Sequence, residues 1–189
     1  MRRWRRKLAR ILLLLGFALA LAAWLLGRTR PAGPEISDAP AGALARVVRV
    51  VDGDTVEVRL LDGGGRLTVR LLGIDCPESR PNDKCRRAGR RSGRGCDWQI
   101  PHGRRAGRLA HEILERRQVR LECGRRCRRG GYGRALRYLR LEDGRDFGLE
   151  MVRRGLCRDY GHRYPHPRGQ RYRRAERQAR RAERGLWAD

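Results

Sequence analysis

Three strand-like runs separated by two glycine–aspartate turns constrain this chain more than any other feature. Arg46–Val51 alternates loosely with β-branched residues, Asp52-Gly53-Asp54 reads as a turn, and Thr55–Leu61 reads as a second strand. Asp62-Gly63-Gly64-Gly65 is a second turn signal, and Leu67–Leu72 a third strand. Connections this short join antiparallel neighbours, because a parallel pair needs a crossover of a dozen or more residues. The stretch therefore predicts a β-meander.

Beyond it the periodicity changes. In Arg104–Arg117, Ala106, Leu109, Ala110, Ile113 and Leu114 fall at i, i+3, i+4, i+7 and i+8, one apolar helical face. Val119–Cys123 reads as a short strand, and Ala135–Leu141 as another, closed by Glu142-Asp143-Gly144. Phe147–Arg154 reads as a short helix ended by Gly155. Tyr172, Ala175, Ala179, Ala182 and Leu186 mark a last, arginine-rich amphipathic helix. Five strands mixed with three helices suit an α+β fold built on a small β-barrel of the OB type. No internal repeat is present.

The N-terminus reads as a membrane address. Arg2, Arg3, Arg5, Arg6, Lys7 and Arg10 precede an apolar run from Ile11 to Gly27. Seventeen residues give roughly 25 Å of helix, near the short limit for spanning a bilayer. Ala18, Ala20, Ala22 and Ala23 offer small-residue cleavage sites, but Trp24, Leu25 and Leu26 continue the apolar run. Residues 1–28 are expected to be an anchor embedded through residues 11–27, with a cleaved signal as the alternative. The cations ahead of the run favour a cytoplasmic N-terminus. The remainder is then exported to a bacterial-type periplasm or the cell exterior. Residues 29–42, with three prolines, read as a linker, and residues 43–189 as the folded domain.

The 46 lysines and arginines outnumber the 21 acidic residues, a net charge of +25. Beyond residue 30 the balance is still 38 cations to 21 anions. Such an excess favours a polyanionic partner, nucleic acid or anionic lipid. All but Lys7 and Lys84 of the cations are arginine, which suits a coding bias. The composition excludes an acidic disordered chain and a collagen. A mean hydropathy of −0.73 and a single long apolar run do not support a multi-span membrane protein.

Four short segments carry the chemistry. Val51–Val58, VDGDTVEV, places two carboxylates around a glycine at a strand turn, where their oxygens can meet a hard cation. Arg70–Ser79, RLLGIDCPES, brings Arg70, Asp75 and Glu78 to a strand end and a proline-bearing turn. Tyr132–Leu139, YGRALRYL, puts Arg134 at a strand start. Gly148–Leu156, GLEMVRRGL, is mainly packing.

In this order and spacing the segments resemble the staphylococcal-nuclease-like (thermonuclease) family, over roughly Ala45 to Trp187. The R-L-L-x-x-D-x-P-E spacing is the most specific part. The resemblance implies an OB-fold barrel and calcium-dependent cleavage of phosphodiesters in DNA and RNA, with no obligate protein partner. It also implies roles for particular residues. Asp54 and Asp75 match the calcium carboxylates, and Cys76 falls where the family supplies a main-chain carbonyl to the metal. Glu78 matches the glutamate that orders the attacking water as general base. Arg70 and Arg134 match the two arginines on the scissile phosphate, and Asp52 a supporting carboxylate near the metal. Tyr132 matches a tyrosine near the terminal phosphate of a bound nucleotide, while Gly130 stands where the family often has aspartate. The physics agrees. A phosphodiester repels nucleophiles, guanidinium forks fit its oxygens, and donors aimed at developing charge are usually the largest catalytic contribution. The competing reading is a nuclease-like nucleic-acid-binding module without catalysis, for which the complete set with Glu78 has no use.

Six cysteines in an exported chain predict disulfides, with 15 complete connectivities possible. Cys85 and Cys96 are expected to pair, ordering a basic segment between them that has little to bury. Cys123 and Cys127 bracket the loop before Tyr132. A zinc site on these four and free thiols are the alternatives. Cys76 and Cys157 remain, with a free thiol an open option for Cys76. His162-Arg-Tyr-Pro-His166 reads as a polar loop rather than a metal site.

Overall fold

The computed structural model describes residues 39–188, so the expected anchor and most of the linker lie outside the described residues. The meander forms β1 (Leu44–Val50), β2 (Thr55–Leu60) and β3 (Arg66–Leu71), paired antiparallel. Alternation sends Ala45, Val47, Val56, Val58, Leu67 and Val69 to one side, each at most 2% exposed. β1 changes register between Val47 and Arg49, a bulge. Bulges bend a strand, and β1 pairs with β2 on one edge and with β5 (Gln118–Glu122) on the other. β5 pairs with β7 (Ala135–Leu141), and β7 returns to β3 in parallel, Val69 opposite Ala135 and Leu71 opposite Arg137. That pairing closes a five-stranded barrel in the order β3-β2-β1-β5-β7. Three two-residue strands complete the β structure of the described residues: β4 (Ile74–Asp75) pairs with β8 (Arg158–Asp159), and β6 (Arg128–Arg129) edges β7. Two residues carry no readable period, which is why the sequence did not reveal them.

Among the described residues four α-helices accompany the barrel, where the sequence predicts three: α1 (Asp83–Ser92), α2 (Cys96–Leu114), α3 (Phe147–Arg153) and α4 (Gly169–Arg181). The additional one, α1, buries only Cys85, so it has no apolar stripe to detect. It is held instead by an Asn82 cap, whose side chain accepts from the Cys85 amide at 2.9 Å, and by the Cys85–Cys96 disulfide to α2. α2 begins eight residues before the expected Arg104 and runs through Pro101. A proline costs one amide–carbonyl bond inside a helix, and here Gln99, Gly103, Ala106, Ala110 and Leu114 keep a single buried face across it. No helix among the described residues is long and apolar enough to cross a membrane.

Charged groups lock the remaining layers. Asp146 caps α3, accepting from the Leu149 amide at 3.1 Å, and receives Tyr172 Oη at 2.8 Å and Arg168 Nη1 at 2.7 Å. Arg168 also reaches Glu122, which Arg140 holds from the other side at 2.6 Å. Fully buried Arg137 donates to the carbonyls of Ala39, Leu136 and Arg128, tying residue 39 to β6 and β7. Within the supposed polar loop His162 is exposed, but the His166 side chain is 4% exposed. It sits between Tyr138 Oη at 2.8 Å and Asp159 Oδ1 at 3.3 Å, anchoring β8. A Cβ on Gly73 would lie 2.4 Å from that imidazole, so only glycine fits beneath it.

Candidate active site

The turn between β1 and β2 is an Asx turn: Asp52 Oδ1 accepts the Asp54 amide at 3.0 Å. This aims Asp54 inward, where it is 7% exposed. Its Oδ1 accepts Thr55 Oγ1 at 3.1 Å and its Oδ2 accepts the Cys76 amide at 2.8 Å. Gly53 permits the packing above it, since a Cβ there would meet Ala106 of α2 at 2.9 Å and Cys76 Sγ at 3.0 Å. Burial pushes the Asp54 carboxyl up to about 7, although Arg70 beside it pulls the other way.

Arg70, near the end of β3, is the hub. Its Nη2 lies 3.1 Å from Asp54 Oδ2 and 3.0 Å from Asp75 Oδ1, while Nη1 donates to the carbonyls of Leu71 and Ile74, both at 2.9 Å. With its side chain 14% exposed, this guanidinium is fixed by four acceptors. Asp75 comes from the β4–β8 ribbon, where it pairs with Arg158, and the Cys76–Cys157 disulfide crosslinks the ribbon's two sides. Cys76 is therefore not a free thiol.

Glu78 follows in the turn and has both oxygens engaged. Asn82 Nδ2 donates to Oε2 at 2.5 Å, and Lys84 Nζ sits 2.7 Å from Oε1 and 3.1 Å from Asp75 Oδ1. Its backbone rests on α2: the Glu78 amide donates to Gln99 Oε1 at 3.3 Å, and Gly103 lies so close that a Cβ would stand 2.4 Å from the Glu78 carbonyl. Asp52, Asp54, Arg70, Asp75, Cys76 and Glu78 thus form one cluster. Arg134 and Tyr132 lie outside it. Arg134 Nε donates to Gly131 at 3.1 Å, and its guanidinium lies 5.5 Å from the Tyr132 ring, itself 98% exposed at φ 61°. Arg134 immediately precedes the residue that pairs with Val69, next along the chain from Arg70.

Sequence reasoning missed Asn82, Lys84, Gln99 and Gly103. The last two had a signal, because they extend the Ala106–Ala110–Leu114 face upstream at helical spacing. The first two had none, since only the fold of α1 turns them toward Glu78. Cys85–Cys96 and Cys123–Cys127 are disulfides, so none of the six cysteines is free to hold zinc.

Among the described residues no three of histidine, cysteine, aspartate and glutamate are grouped to hold a metal ion. The donors that do meet are two carboxylates, Asp54 and Asp75, converging on one arginine nitrogen. Hard oxygens of this kind suit calcium completed by main-chain and water ligands, and do not suit zinc.

The family described as staphylococcal nuclease homologue matches residues 68–189, with Asp52 and Asp54 ahead of the matched stretch. A thermonuclease of Staphylococcus hyicus is 28% identical over 146 residues, covering 76% of this chain and 75% of the relative. Endonuclease YncB of Bacillus subtilis (strain 168) is 30% identical over 110 residues, 58% of this chain and 44% of the relative. The SPbeta prophage-derived endonuclease YokF of the same organism is 32% identical over 110 residues, 58% of this chain and 32% of the relative. The chain spans less than half the length of these two Bacillus relatives.

Proposed function

The chain belongs to the staphylococcal nuclease homologue family, and from that premise we propose that it is a calcium-dependent nuclease that hydrolyses phosphodiester bonds in DNA, RNA or both. The observation that carries the reading is the single cluster in which Arg70 joins Asp54 and Asp75 while Lys84 joins Asp75 to Glu78. Asp54, Asp75 and the main-chain carbonyl of Cys76 are the residues that would hold calcium. Once bound, the ion supplies positive charge beside the scissile phosphate. Glu78 accepts the proton of the attacking water, its carboxylate oriented by Asn82 and Lys84. Arg134 presents its guanidinium fork to the non-bridging oxygens, with Tyr132 beside it on the substrate side. Arg70, whose Nη hydrogens are taken by Asp54, Asp75, Leu71 and Ile74, brings its positive charge and its remaining Nε hydrogen to the same phosphate. A carboxylate held by both oxygens would be superfluous in a module that only binds.

The apolar run over residues 11–27 and three disulfides in one folded domain support export and anchoring to the inner membrane, with secretion the outcome if the segment is cleaved. The test is hydrolysis of plasmid DNA and of RNA by the full chain, in calcium and in chelator, beside Glu78→Gln. Cleavage is expected only with calcium, and the variant should lose about two to four orders of magnitude while still binding DNA. Full turnover in chelator, or by the variant, would defeat the mechanism.

A further inference from the structure

A cleft of about 480 Å³ opens beside the cluster, between α1 and the turn after β8, lined by Lys84, Arg87, Ala88, Arg91, Tyr160 and Arg163 among others. The four α1 positions, 84, 87, 88 and 91, fall at i, i+3, i+4 and i+7, so one helical face forms the wall. No acidic residue lines it. Among the described residues neither Arg87 nor Arg91 has an ion-pair partner, whereas Arg86, one position away, pairs with Asp83 at 3.4 Å. The larger basic depression on α4, lined by Arg174, Arg177 and Arg181, shares no residue with the cluster; this cleft shares Lys84.

α1 also keeps this face at a cost. Arg87–Arg91 and Arg86–Arg90 are like-charge pairs at i, i+4, which destabilise a helix. Apolar burial does not compensate, since Cys85 is its only buried residue. The helix is held by its disulfide, its Asn82 cap and a close backbone approach at Gly89, where a Cβ would stand 2.8 Å from Gly95 Cα. A rigid helix with an unneutralised face is what an anionic ligand requires, because little ordering entropy is lost on binding.

We propose that this cleft is a subsite for the phosphate backbone of single-stranded nucleic acid flanking the scissile bond, with Arg87 and Arg91 as its phosphate contacts. The inference deepens the nuclease reading and rests on it for the position of the scissile bond. From Lys84 to Arg91 the wall runs roughly 10 Å at about 1.5 Å per residue, longer than one phosphate, so a polymer rather than a mononucleotide fits it. Tyr160, a half-buried ring among the cations, suits base stacking beside a backbone track, which a lipid headgroup does not need.

The test measures binding of a fluorescent single-stranded 12-mer to the full chain in chelator by anisotropy, across a salt series. Arg87→Gln/Arg91→Gln is compared with Arg86→Gln/Arg90→Gln, which removes the same charge outside the cleft. The first pair should weaken binding about tenfold and flatten the salt slope by about 1.4, two contacts at roughly 0.7 each. In calcium it should raise KM for the 12-mer and leave dinucleotide hydrolysis unchanged. Equal losses from both pairs, an unchanged slope, parallel loss on the dinucleotide, or loss of binding only to phosphatidylglycerol vesicles each overturns the proposal. If the wild type binds as expected but cleaves nothing, the catalytic reading fails and the subsite stands.

Discussion

Lys84 is the one lysine among the described residues, and its ammonium touches both Asp75 and Glu78. A cation on Asp75 competes with a metal for the same oxygen. The side chain is 53% exposed, so the pair has the small energy of a solvated contact. Lys84→Met should therefore lower the calcium needed for half-saturation by up to about fivefold, the equivalent of about 1 kcal/mol, as calorimetry would read. An unchanged or weaker affinity would rule out competition. Asp54 sets a pH dependence. Its carboxyl is raised in the folded state from the ordinary 3.8 to about 7, chiefly by burial. The folded protein then holds a proton that the unfolded chain has released, so stability of the calcium-free protein falls as pH rises from about 4 through 7. Calcium needs the ionised form, so its affinity should climb over the same window and level above it. Asp54→Asn should flatten both curves, and a pH-independent wild-type affinity would show that Arg70 keeps Asp54 ionised throughout.

At the scale of elements, α2 is the floor of the site: Ala106 lies under the Asp52–Asp54 turn, while Gly103 and Gln99 lie under Glu78. Gly103→Ala drives a methyl to 2.4 Å from the Glu78 carbonyl, and backbone cannot step aside as a flexible side chain can. Overpacking of this kind should cost about 1–3 kcal/mol in urea unfolding and reduce cleavage. Gly107 is one turn along the same helix, with nothing within 4 Å of its Cβ position. Gly107→Ala should instead stabilise by up to about 1 kcal/mol. Equal effects at the two sites would mean that helix propensity, not contact with Glu78, decides. The fold of α1 shows what periodicity leaves hidden. A helix fixed by a cap, a crosslink and two facing glycines has no apolar period, so its presence and the approach of Asn82 and Lys84 to Glu78 were not legible in the chain.

Over the whole molecule the crosslinks differ in what they constrain. Cys76–Cys157 spans 81 positions and ties the ribbon bearing Asp75 to the segment after α3, whereas Cys85–Cys96 spans 11 and holds only α1 to α2. In the chain-entropy model the long loop is worth about 4.5 kcal/mol and the short one about 3. Cys76→Ser/Cys157→Ser should lower global stability by about that larger amount. Cys85→Ser/Cys96→Ser should chiefly speed amide exchange over residues 83–92, leaving barrel amides protected. Uniform exchange in the second variant would mean that α1 belongs to the same cooperative unit as the barrel. By itself the sequence determined the barrel strands, because alternation and glycine turns act over a few neighbouring residues, and the family, because Arg70, Asp75 and Glu78 lie within nine positions on one strand end and turn. Only the tertiary structure decided the partner of Cys76, the floor under Glu78 and the cation between Asp75 and Glu78. Each of those depends on which distant backbones approach within a few ångströms, and that is set by how the barrel closes and where its helices pack.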